Sequence, residues 1–245
     1  TAVALIAPQA KTTYLFEATP HLPRQLYKLE QQAKDFALSG VFLTHAHIGH
    51  YAGLMFFGHE SMGASNVPVF AMPRMMDYLG TNGPWSQLVA YNNIALRPLA
   101  HNRTENLSGL GVTPFLVPHR DEFSETVGYS IQGPNKTALF IPDINKWSVW
   151  ERDIAEVIKT VDCALLDATF FGAGELPGRD MSRVPHPLVT ETMAALAGLG
   201  PEQRKKVWFI HMNHTNPLLN PKSEEAMLVH AAGYNIATEA TRLDL

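Results

Sequence analysis

Three histidines crowd the stretch Leu43–Leu54, "LTHAHIGHYAGL". His45 and His47 are two apart, so in extended backbone their imidazoles point to the same side and can reach one ion. His50 follows three later, where the chain turns into the helix-like "HYAGLMFF", and it can face the same cavity from another direction. Imidazole nitrogen is a borderline ligand that suits zinc, iron, nickel and copper. A His-rich polar surface loop is a poor alternative. The flanks "GVFL" and "GLMFF" are apolar, and histidines buried there without partners would be costly. The spacing predicts metal binding.

The other candidates stand where apolar strands end. Thr44–His45, Pro118–His119, Pro142–Asp143 and Ile210–His211 all have this placement. Strand ends fix a loop while leaving it accessible, and α/β proteins put chemistry there. His119, in "TPFLVPHRDEF", would by itself read as structural; beside the first cluster it reads as a third ligand for the same ion. Asp143, in "ALFIPDINKW", is either a helix cap or turn residue or a metal-bridging ligand. His211, in "VWFIHMNHTNP", repeats the pattern, and His214 is a ligand, a substrate donor or a turn residue.

The elements that position these groups can be read from periodicity and punctuation. "TAVALIAPQAKTTYLFEAT" predicts two strands around a turn at Pro8–Lys11. "PRQLYKLEQQAKDFALSG" has Leu26, Leu29, Ala33 and Phe36 at helical spacing, with Pro23 suiting the start and Gly40 the end. "VFLT" and "VPVFAM" read as strands, and "PRMMDYLGTNG" as a helix. Four strand-like runs follow, from "NIALRPLA" to "TALFIPD". "WSVWERDIAEVIKTV" reads as one amphipathic helix, "DCALLDATFF" as a buried strand, "PHPLVTETMAALAGLG" as a helix, "KVWFIHMNH" as a strand and "SEEAMLVHAAGY" as a last helix. Alternation of this kind predicts an α/β domain with sheets inside and helices outside.

Bulk properties narrow the function classes. The 245 residues are 46% hydrophobic and 17% charged, a globular composition with enough chain for a sizeable core. A net charge of −4 argues against a protein built to grip nucleic acid. The one dense basic run, Arg204–Lys206, reads as a solvated helix end. A single cysteine, Cys163, excludes an intrachain disulfide and a Cys-based zinc site, and reads as a small buried hydrophobe. No apolar stretch is long enough to span a bilayer. The chain begins at Thr1 without methionine. This predicts a periplasmic location if a leader was removed, and a cytoplasmic one otherwise.

With these positions in hand, the sequence resembles the metallo-β-lactamase superfamily. That family's motif is His-x-His-x-Asp-His, then a distant His, a bridging Asp and a final His. It maps onto His45, His47, Gly49, His50, then His119, Asp143 and His211. Over nearly the whole chain the closer resemblance is to the pyrroloquinoline quinone biosynthesis protein B-like (PqqB-like) group, carried by "FEATPHLPRQL", "GPWSQLV", "LDATFF" and "HMNHTNP". The resemblance implies one αββα domain over residues 1–245, with its metal site on one edge of the two sheets and an N-terminal strand missing. The layout is also similar to the ribonuclease Z and phosphodiesterase branch, where an acid after a late strand and a histidine opening a helix assist the metal. "LLDATF" and "VPHPLV" offer Asp167 and His186 at those places. His186 is otherwise a helix-start residue between two prolines.

Gly49 departs from the motif. The family's aspartate there ligates a second metal, and glycine has no donor side chain. His50, Asp143 and His211 would remain for that position. One ion or two is left open, and the site of His45, His47 and His119 is the safer expectation.

The chemistry expected is metal-assisted hydrolysis of a small-molecule ester, lactone, amide or phosphodiester. Zinc lowers the pKa of its bound water from about 15.7 to about 7, giving hydroxide at neutral pH. Iron or manganese is an alternative metal. Asp143 would hold the water, and an Asp167–His186 pair would protonate a leaving group. Trp85, Trp147, Phe170 and Phe171 could wall a pocket, although core packing explains each of them. Two other readings stand beside this one: a non-haem iron oxygenase or redox enzyme, and a non-catalytic metal-binding protein.

Overall fold

The computed structural model describes residues 1–107 and 109–245, arranged as two compact units. The first comprises Thr1–Arg103 with Asp121–Val127, and the second Thr104–Arg120 with Gly128–Leu245.

The first unit is built on a five-stranded sheet. β1 (Val3–Ala7) and β2 (Thr12–Phe16) form the expected antiparallel pair, closed by Lys11 N–H donating to the Pro8 carbonyl. α1 (Leu22–Gln32) then crosses over to β3 (Ala37–Phe42), which lies parallel to β2. Here the sequence reading needs correction. The helix stops at Gln32, and Asp35 turns the chain with a φ of 64°. Gly40 belongs to the strand instead. A Cβ at Gly40 would sit 2.6 Å from the Phe70 ring, so the glycine makes room for aromatic packing.

The short helix α2 (Ile48–Tyr51) and a 3-10 turn (Ala52–Phe57) follow. Next come β4 (Val67–Ala71), α3 (Pro73–Thr81), an unanticipated α4 (Trp85–Ala90) and β5 (Ile94–Pro98). The sheet order is β1-β2-β3-β4-β5. Alternation along the strands separates two faces. Leu15, Val41 and Val69 pack with Leu22, Leu29, Met75 and Leu79 of the helices. Phe16, Phe42 and Phe70 stack on the other face, with ring centroids 5.1 and 4.4 Å apart.

The second unit holds a seven-stranded sheet. Its strands are β6 (Glu105–Leu107), β7 (Leu110–Leu116), β8 (Val127–Gln132), β9 (Thr137–Ile141), β10 (Cys163–Asp167), β11 (Val207–Ile210) and β12 (Asn235–Ile236). They lie side by side in sequence order, and β9 to β12 run parallel. The helices are α5 (Ile154–Lys159), α6 (Val189–Ala195), α7 (Pro201–Arg204) and α8 (Glu224–Ala231). Leu139, Ile141, Leu166, Val207 and Phe209 of the strands form one core with Ile154, Val189 and Val229 of the helices and with Leu196, just past the end of α6.

The single helix expected over "WSVWERDIAEVIKTV" is broken into a 3-10 turn (Trp147–Val149) and α5, because Asp153 caps a new start by accepting from Ala155 N–H. Arg204–Lys206 is a helix end, as expected, with Lys205 paired to Glu202. Cys163 is buried, and that burial raises its pKa to about 11. Among the described residues, no helix is long and apolar enough to cross a membrane.

Candidate metal centre

In the first unit the buried C-terminal half of β3 delivers the chain to Thr44, and the three histidines of the next turn converge. The rings of His45 and His47 are 4.4 Å apart between centroids, and those of His45 and His50 4.3 Å. His45 Nε2 and His47 Nδ1 face one another at 2.8 Å.

The opposite nitrogens are tied down. Thr44 Oγ1 bonds His45 Nδ1 at 2.8 Å, and Glu122 Oε2 bonds His47 Nε2 at 3.0 Å. Glu17 Oε2 lies 3.1 Å from His50 Nδ1, while its Oε1 accepts from Thr44 N–H. An ionised carboxylate only accepts, so Glu122 places the His47 proton on Nε2 and turns the Nδ1 lone pair inward. Tetrahedral zinc with Zn–N near 2.0–2.1 Å separates its ligand nitrogens by roughly 3.3 Å. A small opening of the His45–His47 contact meets that requirement, so the donor set fits such an ion.

Two features of this unit were not read from the sequence. Glu17 is fully buried and has a φ of 80°, unusual for a residue with a side chain. It follows an apolar strand, the same signal that exposed Asp143. The segment Asp121–Val127 is bound to the histidine turn by its middle and its C-terminal end. Ser124 Oγ accepts from Ala46 N–H at 2.8 Å, and Val127 N–H donates to the Thr44 carbonyl.

In the second unit, parallel register sets the geometry. Leu166 pairs with Ile141, and Asp167 pairs with Ile210, so the carboxyl ends of β9, β10 and β11 open on one edge. Asp143, Asp167 and His211 each offer a ligand atom within 4.8 Å of the others, and so do His119, Asp143 and His186. Asp143 and Asp167 are buried.

Asp167 is the anchor. Its Oδ1 accepts from Thr169 N–H at 2.8 Å and from Thr169 Oγ1 at 2.7 Å, and its Oδ2 accepts from Ile144 N–H at 3.2 Å and bonds His186 Nδ1 at 2.8 Å. His186 reaches it because Val189 N–H donates to the Phe170 carbonyl, folding "VPHPLV" back along the chain after β10. Burial pulls the His186 pKa down. The charge and hydrogen bond of Asp167, with Asp143 at 3.2 Å, outweigh burial and the opposing Arg120, so the pKa is raised.

His211 leaves β11 with a φ of 65°, and its Nδ1 bonds Thr169 Oγ1 at 3.0 Å. Asn213 N–H to the Thr169 carbonyl and Asn216 Nδ2 to the Ala168 carbonyl lock that turn.

Each predicted residue thus joins a cluster in its own unit: His45, His47 and His50 in one; His119, Asp143, Asp167, His186 and His211 in the other. His214 is exposed and bonds Asn213 Oδ1. Among the pocket candidates, Trp85 packs on Tyr51, and Trp147 donates to Thr192 Oγ1 beside Trp150. Phe171 packs against the second unit's core, and Phe170 lies with its ring 6.2 Å from that of His186.

Comparison with known proteins accords with this arrangement. A curated relative, coenzyme PQQ synthesis protein B of Methylobacterium sp. (strain 4-46), is 26% identical over 98% of this chain and 86% of its own length. The crystal structure of Zn(2+)-bound PqqB from Methylobacterium extorquens superposes with a TM-score of 0.81 at 24% identity, covering 100% of this chain and 87% of that one. A diphosphatase of the PhnP family superposes with a TM-score of 0.63 at 19% identity, covering 96% and 80%. These likenesses bear out the expected α/β class and metallo-β-lactamase-like fold. The beta-lactamase superfamily domain matches residues 12–212, and the chain belongs to that superfamily.

Proposed function

We propose that this protein is a metal-dependent hydrolase acting on a small-molecule ester, lactone, amide or phosphodiester. Its ligand set is His45, His47, His50, His119, Asp143 and His211, with zinc as the metal and one or two ions per chain. The observation that carries the reading is the inward pairing of His45 Nε2 with His47 Nδ1 at 2.8 Å, each imidazole tied at its other nitrogen. That pairing suits a shared cation.

When bound, zinc supplies Lewis acidity and a water acidified to near-neutral pH. The protein's own residues do the rest. Asp167 holds His186 by Nδ1 and keeps the imidazole protonated to higher pH, so its Nε2–H is available to a leaving group. Asp143, buried beside His186 and His211, orients the attacking water. The net charge of −4 favours a small substrate over a polyanion. The family match runs through both units, which supports treating them as one functional domain.

The test is metal analysis of purified protein followed by turnover. Zinc-loaded protein is expected to hydrolyse ester or phosphodiester probes. His45→Ala combined with His47→Ala is expected to lose metal and all turnover. Full activity in that double variant would overturn the proposal. So would oxygen consumption by iron-loaded protein with no hydrolysis under zinc.

A further inference from the structure

We infer that Glu122 is a positioning residue that fixes the tautomer of His47 and so aims its Nδ1 at the metal. This rests on the proposed ligand role of His47. Glu122 lies 75 residues away in sequence, yet its Oε2 reaches His47 Nε2 at 3.0 Å. Half its side chain is in water, with 47% exposure against 21% for His47, so burial did not force the contact.

The contact is built from the backbone outward. Ser124 Oγ accepts from Ala46 N–H, and Val127 N–H donates to the Thr44 carbonyl, on either side of His45. The segment is braced from α3: Arg74 N–H donates to the Glu125 carboxylate, and the Arg74 guanidinium donates to the Asp121 carbonyl at 2.9 Å. Asp121 Oδ1 in turn accepts from Thr126 Oγ1 at 2.8 Å. Residues 121–127 are therefore held as a strap across the histidine turn, with Glu122 placed against the His47 ring.

A neutral histidine in water exchanges its proton between two nitrogens. Only the form protonated at Nε2 presents the Nδ1 lone pair to an ion. A carboxylate accepting at Nε2 selects that form, and such partners of ligand histidines are typically worth about 10–100-fold in metal affinity. Sequence reading missed Glu122 because "HRDEF" carries no periodic signal; the acid sits on a loop.

The experiment measures zinc dissociation constants by competition with a chelating dye for the full chain and four variants. It adds nitrogen-15 NMR of the histidine rings in zinc-free protein. His47→Ala tests the ligand reading, and wild-type affinity in that variant would overturn both that reading and this inference. With His47→Ala impaired, Glu122→Ala is expected to weaken zinc about 10–100-fold and to let the His47 ring populate both tautomers.

Glu122→Gln separates positioning from charge. Its amide oxygen still accepts Nε2–H, so it is expected to restore most of the affinity and the single tautomer. Glu122→Asp keeps the charge on a shorter arm and is expected to behave like the alanine variant. Affinity within twofold of wild type and an unchanged tautomer in Glu122→Ala would overturn the inference. Affinity retained by Asp but lost by Gln would also overturn it, in favour of a simple charge effect.

Discussion

The two units gather their candidate site residues in opposite ways. The first places His45, His47 and His50 on one turn, six residues long, and recruits Glu17 and Glu122 to hold the rings. The second draws His119, Asp143, Asp167, His186 and His211 from the ends of β7, β9, β10 and β11 and the loops after them, far apart in sequence. Its convergence depends on the parallel register of β9, β10 and β11. A local cluster is specified by spacing, whereas a distributed one is specified by the sheet. The difference predicts that the distributed cluster is the more tightly coupled to folding.

Three substitutions test that contrast, beginning with the largest effect. Asp167→Ala strips Thr169, Ile144 and His186 of a fully buried acceptor. Breaking a buried pair of this kind costs about 3–5 kcal/mol, and denaturant unfolding of zinc-free protein should read it. Glu17→Ala is the matching change in the first unit. It removes an acceptor from Thr44 N–H and a partner from His50, for an expected loss of about 1–3 kcal/mol. A loss at Glu17 equal to that at Asp167 would break the comparison.

Gly49→Asp should scarcely touch stability. A Cβ at Gly49 meets nothing within 4 Å, and an acid in the first turn of α2 suits the helix dipole. The change should stay within about 0.5 kcal/mol while raising zinc per chain, read by metal analysis. Unchanged stoichiometry would show that the missing aspartate is not what limits the second ion.

The same contrast governs how much could be read beforehand. The strand-ending pattern located His45, His119, Asp143 and His211, because apolar runs followed by a polar ligand type are visible in one dimension. Asp167 and His186 came only through resemblance to a family, since their meeting depends on the Phe170–Leu188 bridge. Glu17 carried a legible signal, an acid after "TTYLF", but lacked a neighbouring histidine to mark it. Gly40 misled because a glycine after a helical pattern signals a stop, whereas the close approach of Phe70 is a tertiary fact. The helix expected over residues 147–161 failed for a local reason, the competing cap at Asp153.

The left-handed backbone at His211 bears on how this centre should be dissected. A replacement there changes two things at once, the imidazole and the cost of holding a φ of 65°. Valine, isoleucine or threonine would resist that conformation and could unseat the loop before any ligand effect is read. Asparagine and glycine tolerate it, so they are the controls in which lost metal reports on the missing nitrogen alone. A mutagenesis series that ignores this distinction would credit chemistry with what belongs to the shape of the chain.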